Sequence, residues 1–274
     1  MDKCSACMVG GEHNATCIVS GSETAADRPA CTTNEVQSFV PPAVNGSHPG
    51  FHIEGGKLYD AKGNEFIIRG VNNPHAWFDP DNQYLAYGAL DTIASYKTNT
   101  IRVVWTVDLT AALLAQVLYR IVELKMIPMV ELHDATGKTD TASLQAAANY
   151  YLQADVSRVL NDFRAYLLVN IANEWSGDLS AYGSAIGSLR SGGIQHTLVV
   201  DASGYGQDIN SIISNAPSLQ SGDSGEGKLL FGIHMYSQFG GASAVTDALQ
   251  RAQNASIPLV VGEFGPQLSG ANVA

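Results

Sequence analysis

Two stretches of the chain end an apolar run on a glutamate: Leu167-Leu-Val-Asn-Ile-Ala-Asn-Glu174-Trp175 and Pro258-Leu-Val-Val-Gly-Glu263-Phe264-Gly265. A carboxyl group at the end of a buried strand sits where the core gives way to solvent and substrate. Two such groups, one protonated and one ionised, can act on a single bond. At a separation of about 5–5.5 Å they supply the acid and the nucleophile of glycosidic cleavage with retention. Repulsion between like charges and partial desolvation drive their pKa values apart, which assigns the two roles. In that chemistry Glu263 attacks, and Glu174 donates a proton and later takes one. Position alone leaves open that each is an ordinary strand-end carboxylate in an ion pair.

Other residues would serve the same site. Arg102 lies within an apolar strand, where a charge is costly unless paired. It suits Glu263, which it would hold ionised and oriented, or a structural carboxylate such as Glu131. His133 and Asp134 close the next strand. As strand neighbours they point to opposite faces, so they do not make a chelating pair and no metal is expected. His234 and Tyr236 are two residues apart and share a face, with the imidazole and hydroxyl aimed at the nucleophile. Asn173, beside the acid, suits a sugar 2-hydroxyl. His75, Trp77 and Trp175 would line a groove in which sugar C–H faces pack on rings.

Strands must position these groups. Short apolar runs occur at 66–71, 100–105, 127–132, 166–171, 197–200, 229–233 and 259–261, most of them apolar on both alternating faces. Such runs read as parallel strands buried on both sides. Between them lie helical stripes: Leu114, Val117, Leu118 and Ile121; Tyr182, Ile186 and Leu189, stopped by Gly192-Gly193; and Val245, Ala248, Leu249 and Ala252. FHIEGGKLYD and EFIIRG flank Asp60-Ala-Lys-Gly63, and the three together read as a small hairpin with a turn at its tip. Serial β/α units without a GxGxxG after the first strand predict an α/β fold, a (β/α)8 TIM barrel. Seven strands are counted, and the eighth strand and its helix are expected to be missing. In such a barrel the reactive groups come from the C-terminal strand ends, which places Glu174 on the fourth strand and Glu263 on the seventh.

Composition narrows the partners. Of the 274 residues 45% are hydrophobic and 15% charged, enough for a sizeable core. The formal net charge of −11 argues against a nucleic-acid backbone, which needs clustered Lys and Arg. No apolar run approaches the roughly 18 residues of a membrane span, and the first ten residues lack the apolar region of a secretory signal. Residues 1–49 read as a flexible arm or linker, and 50–274 as the barrel. The arm carries all four cysteines, Cys4, Cys7, Cys17 and Cys31, whose readings are disulfides, free thiols or a metal. Sequons occur at Asn14, Asn45 and Asn254.

Taken in order, the motifs resemble glycoside hydrolase family 5, and most closely its bacterial endo-β-1,4-mannanases of the Bacillus type. The matching segments are GGKLYDAKGNEFIIRGVNNPHAWF, TNTIRVVW, ELHDATG, VNIANEW, TLVVDASGYGQ, IHMYSQFGGAS and VVGEFG. The resemblance carries the family's active-site set onto Arg102, His133, Asn173, Glu174, His234, Tyr236 and Glu263. It implies retaining hydrolysis of internal β-1,4-mannosidic bonds in mannan, glucomannan or galactomannan, with no cofactor, by a secreted protein; a monomer is expected. A β-1,4-glucanase of the same family is the alternative, since nothing at the strand ends tells axial from equatorial O2. Three departures stand out: the arm, the stretch around Ala154–Asp162, and the end of the chain, where nothing matches the family's eighth strand and its Trp. On that last ground weak or no activity is expected, and a non-catalytic sugar-binding barrel is the rival reading.

Overall fold

A computed structural model describes residues 39–78 and 85–265 of the chain. The four cysteines and Asn14 lie outside the described residues. The hairpin forms, but its strands are β1 (His52–Glu54) and β2 (Lys57–Tyr59), and they turn at Gly55-Gly56, both with positive φ. The expected tip at Asp60–Gly63 is a second turn. There the Asp60 carboxylate accepts from the backbone N–H groups of Lys62 and Asn64. Consequently the first barrel strand, β3, is Gly70–Asn73 and not 66–71. Its predecessors Phe66 and Ile68 pack instead beneath the barrel.

Six further strands follow: β4 (Thr100–Trp105), β5 (Ile127–Leu132), β6 (Leu168–Asn170), β7 (Leu198–Asp201), β8 (Leu229–Met235) and β9 (Leu259–Phe264). All seven are parallel neighbours in chain order, β3 through β9. The three predicted stripes lie on helices Ala111–Glu123, Tyr182–Ser191 and Ala242–Asn254. Ala154–Asp162, where the sequence departs from the family pattern, is also a helix, held by buried Val156, Val159 and Leu160. Among the described residues the barrel is nearly closed. The Asn72 amide on β3 donates to the Gly262 carbonyl on β9 at 3.1 Å, and below that bond a cleft of about 940 Å³ runs between the two strands.

The barrel interior follows the two-residue period of its strands. Met129, Leu168, Val199, Leu230 and Val260 form an apolar floor, closed from below by Phe51 and Leu58 of the hairpin. Two residues further along the same strands stand Glu131, Asn170, Asp201 and Gly232. The layer above the apolar floor is therefore polar, and buried. A Cβ on Gly232 would lie 2.3 Å from Asp201 Oδ1, so this position keeps room for that carboxylate. The larger core lies outside the strands, beneath the helices. Within the stretch read as an arm, Phe39 is buried against Tyr119 and Pro42 accepts from the Tyr166 hydroxyl at 2.8 Å. Its described end packs on the barrel.

Candidate active site

Glu174 and Glu263 converge at the C-terminal mouth. One carboxylate oxygen of each lies within 4.8 Å of the other and of a His234 ring nitrogen. Two backbone irregularities aim them. Opposite His234, strand β9 carries an extra residue: Ile233 pairs with Val261, while His234 pairs with Glu263. Gly262 is this bulge, and it turns Glu263 inward beside His234. A Cβ on Gly262 would stand 2.9 Å from His234 Nε2, so glycine also fits the sterics. Glu174 sits just past β6 with φ +47, a left-handed conformation costing about 1–3 kcal/mol for a non-glycine residue. That conformation is pinned from both sides. The Glu174 N–H donates to Asp201 Oδ2 at 3.2 Å, and its carbonyl accepts from the Gly137 N–H at 3.1 Å.

A charged layer beneath differentiates the two acids. Arg102 donates from Nη1 to Glu263 Oε1 at 2.8 Å, and from Nη2 to Asn173 Oδ1, Asn170 Oδ1 and Asp201 Oδ2. Glu131 lies 3.6 Å from the same guanidinium, so both partners weighed for Arg102 are real. The Tyr236 hydroxyl donates to Glu263 Oε2 at 2.6 Å. Desolvation works against the charged form of Glu263. The His234 charge, Arg102 and the Tyr236 hydroxyl together outweigh it and hold this carboxyl below its ordinary range. Burial pushes Glu131 the other way, up, against the pull of Arg102.

His234 bonds mainly to Glu174, not to Glu263. Its Nδ1 is 2.7 Å from Glu174 Oε1 and 3.7 Å from Glu263 Oε1, while Nε2 faces Asp201 Oδ2 at 3.6 Å. Burial alone would favour the neutral ring. Asp201, the bond to Glu174 and Glu263 overcome it and raise the pKa. Fully buried, His234 orients carboxylates and has no face left for a sugar.

Several expectations change in detail. His133 does not end a strand, because β5 stops at Leu132 and a 3-10 turn spans His133–Ala135. The opposite-faces argument about Asp134 therefore lapses; its carboxylate accepts instead from the Val107 N–H. His133 rests on Glu131 at 3.0 Å and against the Trp77 ring, 4.0 Å between centroids. Trp77 is 45% exposed, and with His133, His75 and Phe78 it walls one side of the mouth. Trp175 is no groove residue. It is 1% exposed, edge-on to Tyr182, with Nε1 donating to the Asp140 carbonyl. The left-handed turn at Glu174 sends the next side chain into the core. Asn173 is buried too, its amide donating to Thr136 Oγ1.

Sequence reasoning missed Asp201, the buried junction of Arg102, Asn170, His234 and the Glu174 backbone. Val-Val-Asp201 satisfies the strand-end filter that found Glu174, so the signal was present. Glu174, His234 and Glu263 also offer one metal-ligating atom each within 4.8 Å. However, the Arg102 guanidinium already stands 2.8 Å from Glu263, and a second cation there meets that fixed charge.

Residues 59–273 match the family "Cellulase (glycosyl hydrolase family 5)". The chain is 35% identical over 243 residues to a mannan endo-1,4-beta-mannosidase of Salipaludibacillus agaradhaerens, covering 82% of this chain and 74% of that one. It is 34% identical over 244 residues to the enzyme of the same name from Cellvibrio japonicus, spanning little more than half (54%) of that protein. Among solved structures, the mannohexaose complex of Thermomonospora fusca beta-mannanase superposes with a TM-score of 0.71 at 36% identity, covering 79% of this chain and 76% of that one.

Proposed function

The chain belongs to glycosyl hydrolase family 5, and from that premise we propose that it is an endo-acting, retaining β-1,4-mannanase with Glu263 as nucleophile and Glu174 as general acid/base. The observation that carries this reading is the approach of the two carboxylates within 4.8 Å over a single imidazole. In the first step Glu263 attacks the anomeric carbon as the bond to the leaving O4 breaks, and Glu174 gives its proton to that oxygen. In the second, Glu174 takes a proton from water, the water oxygen attacks the anomeric carbon, and the ester bond to Glu263 breaks. Arg102 and Tyr236 keep Glu263 ionised and pointed. His234, backed by Asp201, holds the Glu174 carboxyl in place. Trp77 and His133 offer ring surface to the sugar chain, and neither step needs a cofactor.

A polymer of this kind does not enter cells, so we place the enzyme outside, acting on mannan as a monomer. Among the described residues no helix is long and apolar enough to cross a membrane. We keep 50–274 as the catalytic unit, with the segment from Phe39 as part of its packing. The test is reducing-sugar release from mannan against carboxymethylcellulose. Faster release from mannan supports the reading; faster release from the cellulose derivative would assign the chain to the glucanases.

Charge tuning at Glu263 gives a pH prediction. Its attack needs the ionised form, and its pKa lies below the ordinary 4.5, so the acid limb of kcat/KM should fall below that value. The same depression adds folding stability above the unfolded pKa, lost as pH falls through the folded one. Tyr236→Phe removes the donating hydroxyl, so the acid limb should move to higher pH. Profiles of both proteins from about pH 3 to 6 decide it, and an unmoved limb would deny Tyr236 this role.

A further inference from the structure

Asp201, at the end of β7, is a carboxylate that never reaches the cleft, being 1% exposed. Its Oδ2 accepts from the Glu174 backbone N–H at 3.2 Å and from Arg102 Nη2 at 3.3 Å, and it faces His234 Nε2 at 3.6 Å. Its Oδ1 accepts from the Asn170 amide at 3.2 Å, in a space that Gly232 leaves open. Groups from three other strands thus converge on one oxygen. An ion pair that served only the fold would need no more than the contact with Arg102.

The His234 ring is boxed in. A Cβ on Gly206 would stand 2.6 Å from Nδ1, and a Cβ on Gly262 would stand 2.9 Å from Nε2, so the ring keeps its orientation. Nδ1 is 2.7 Å from Glu174 Oε1. Nε2 is buried and makes no hydrogen bond; at 3.6 Å it meets the charge of Asp201 in ion-pair range. Four ionisable groups surround the ring: Glu174 past β6, Asp201 on β7, Glu263 on β9 and Arg102 on β4. Burial works against the charged ring, and Asp201 is the strongest influence opposing burial. With both nitrogens protonated, Nδ1–H donates to Oε1 whether the Glu174 carboxyl is protonated or ionised. The working proton is then left to Oε2.

We propose that Asp201 is a positioning residue for proton transfer: it keeps His234 donating to Glu174 Oε1 through both steps, so that Oε2 alone exchanges the proton. This rests on the mannanase reading and deepens it. In the first step the proton leaves Oε2 for the departing O4, and in the second Oε2 takes one from water. His234 and Asp201 neither gain nor lose a proton. A neutral ring would turn the Nδ1 lone pair toward an ionised Oε1 for part of the cycle, and the carboxylate would swing away. Glu263 is held separately, by Arg102 Nη1 and the Tyr236 hydroxyl. Loss of the Asp201 charge therefore falls on the steps that need an acid or a base.

The test reads His234 directly. In the full chain with nitrogen-15 histidine, at about pH 6.5 where an unperturbed histidine is half charged, both His234 nitrogens should be mainly protonated. Loss of the signal in His234→Gln assigns it. In Asp201→Asn the ring should be mainly neutral at the same pH. On mannohexaose, whose leaving sugar needs the proton, kcat/KM should fall roughly 10–100-fold in this variant. On β-mannotriosyl fluoride, whose leaving group departs with little help, it should fall less than about threefold. Gly232→Ala keeps every charge but crowds Asp201 Oδ1, where its Cβ would stand at 2.3 Å, and should give the same split in smaller measure. Equal losses on both substrates would make Asp201 a partner in the fold alone and overturn the proposal. So would a wild-type His234 with one bare nitrogen, or an Asp201→Asn chain at full rate on mannohexaose. A wild-type chain inert on both substrates, with His234 protonated as expected, would instead sink the mannanase reading, and this inference with it.

Discussion

Glu263→Ala is expected to lower kcat on mannan by roughly four orders of magnitude or more, while mannohexaose still binds. The carboxylate is the group that forms the bond to the anomeric carbon, and no neighbour replaces it. Tyr236 and Arg102 bond to it but have no free nucleophile to offer, and Glu131 and Asp201 lie at the buried level beneath. The fold should survive. Arg102 keeps Asp201 at 3.3 Å and Glu131 at 3.6 Å, so its buried charge is still compensated. A small anion such as azide can enter the space left by the side chain and attack from the same side, giving an inverted α-mannosyl azide. Detecting that product, together with unchanged mannohexaose binding by calorimetry, checks the assignment. A variant that cleaves mannan at the wild-type rate would strip Glu263 of the nucleophile's role, whereas an unaltered chain that binds mannohexaose without turnover would favour the sugar-binding barrel.

The second large effect is a split between substrates. Glu174→Gln removes the proton donor but keeps the shape, and an amide can still meet His234 Nδ1. Glutamine at φ +47 is no more strained than glutamate, so folding should not suffer. General acid catalysis contributes typically 10²–10⁴-fold, so turnover of mannan should fall within about that range. Fluoride departs with little help. β-Mannotriosyl fluoride should therefore still form the ester with Glu263 and then stall, because the water now lacks its base. A burst of fluoride release followed by a slow phase is the expected trace, and azide should accelerate the slow phase with retention. Equal loss on both substrates, with no burst, would exclude Glu174 as the proton donor.

These two residues were legible because their signal is local. An apolar run ending in a carboxylate marks a position at the mouth of a parallel barrel, and the motifs VNIANEW and VVGEFG single out these two from other strand-end carboxylates such as Asp201. β4 and β5 were delimited to the residue for a similar reason, since each is a largely apolar run, interrupted only by Thr100 and Arg102 in β4 and by Glu131 in β5. The helical stripes are likewise a matter of period. Failures begin where the outcome depends on residues far away in the chain. Phe66–Arg69 reads as a strand by composition, yet it runs beneath the barrel because the hairpin turns early, at Gly55-Gly56, and displaces the start of β3. Trp175 reads as a platform beside the acid. The turn of Glu174, enforced by Asp201 and Gly137, points it into the core.

The sequence by itself determined the count of seven parallel strands and the stripes of their helices, because alternation and period are properties of contiguous residues, and its motifs singled out Glu174 and Glu263 as the candidate pair. Tertiary structure alone decided that these acids meet. It took the bulge at Gly262 to aim Glu263, and a left-handed peptide at Glu174 held by Asp201 at the end of β7 and by Gly137 in the loop after β5. It also took Asp201, 27 residues beyond Glu174, to bond at once to its backbone and to Arg102. Directions of side chains at strand ends are set by register and by hydrogen bonds across the barrel, and those involve partners far apart in the chain, 161 residues between Arg102 and Glu263 and 190 between Asn72 and Gly262. No local pattern encodes them.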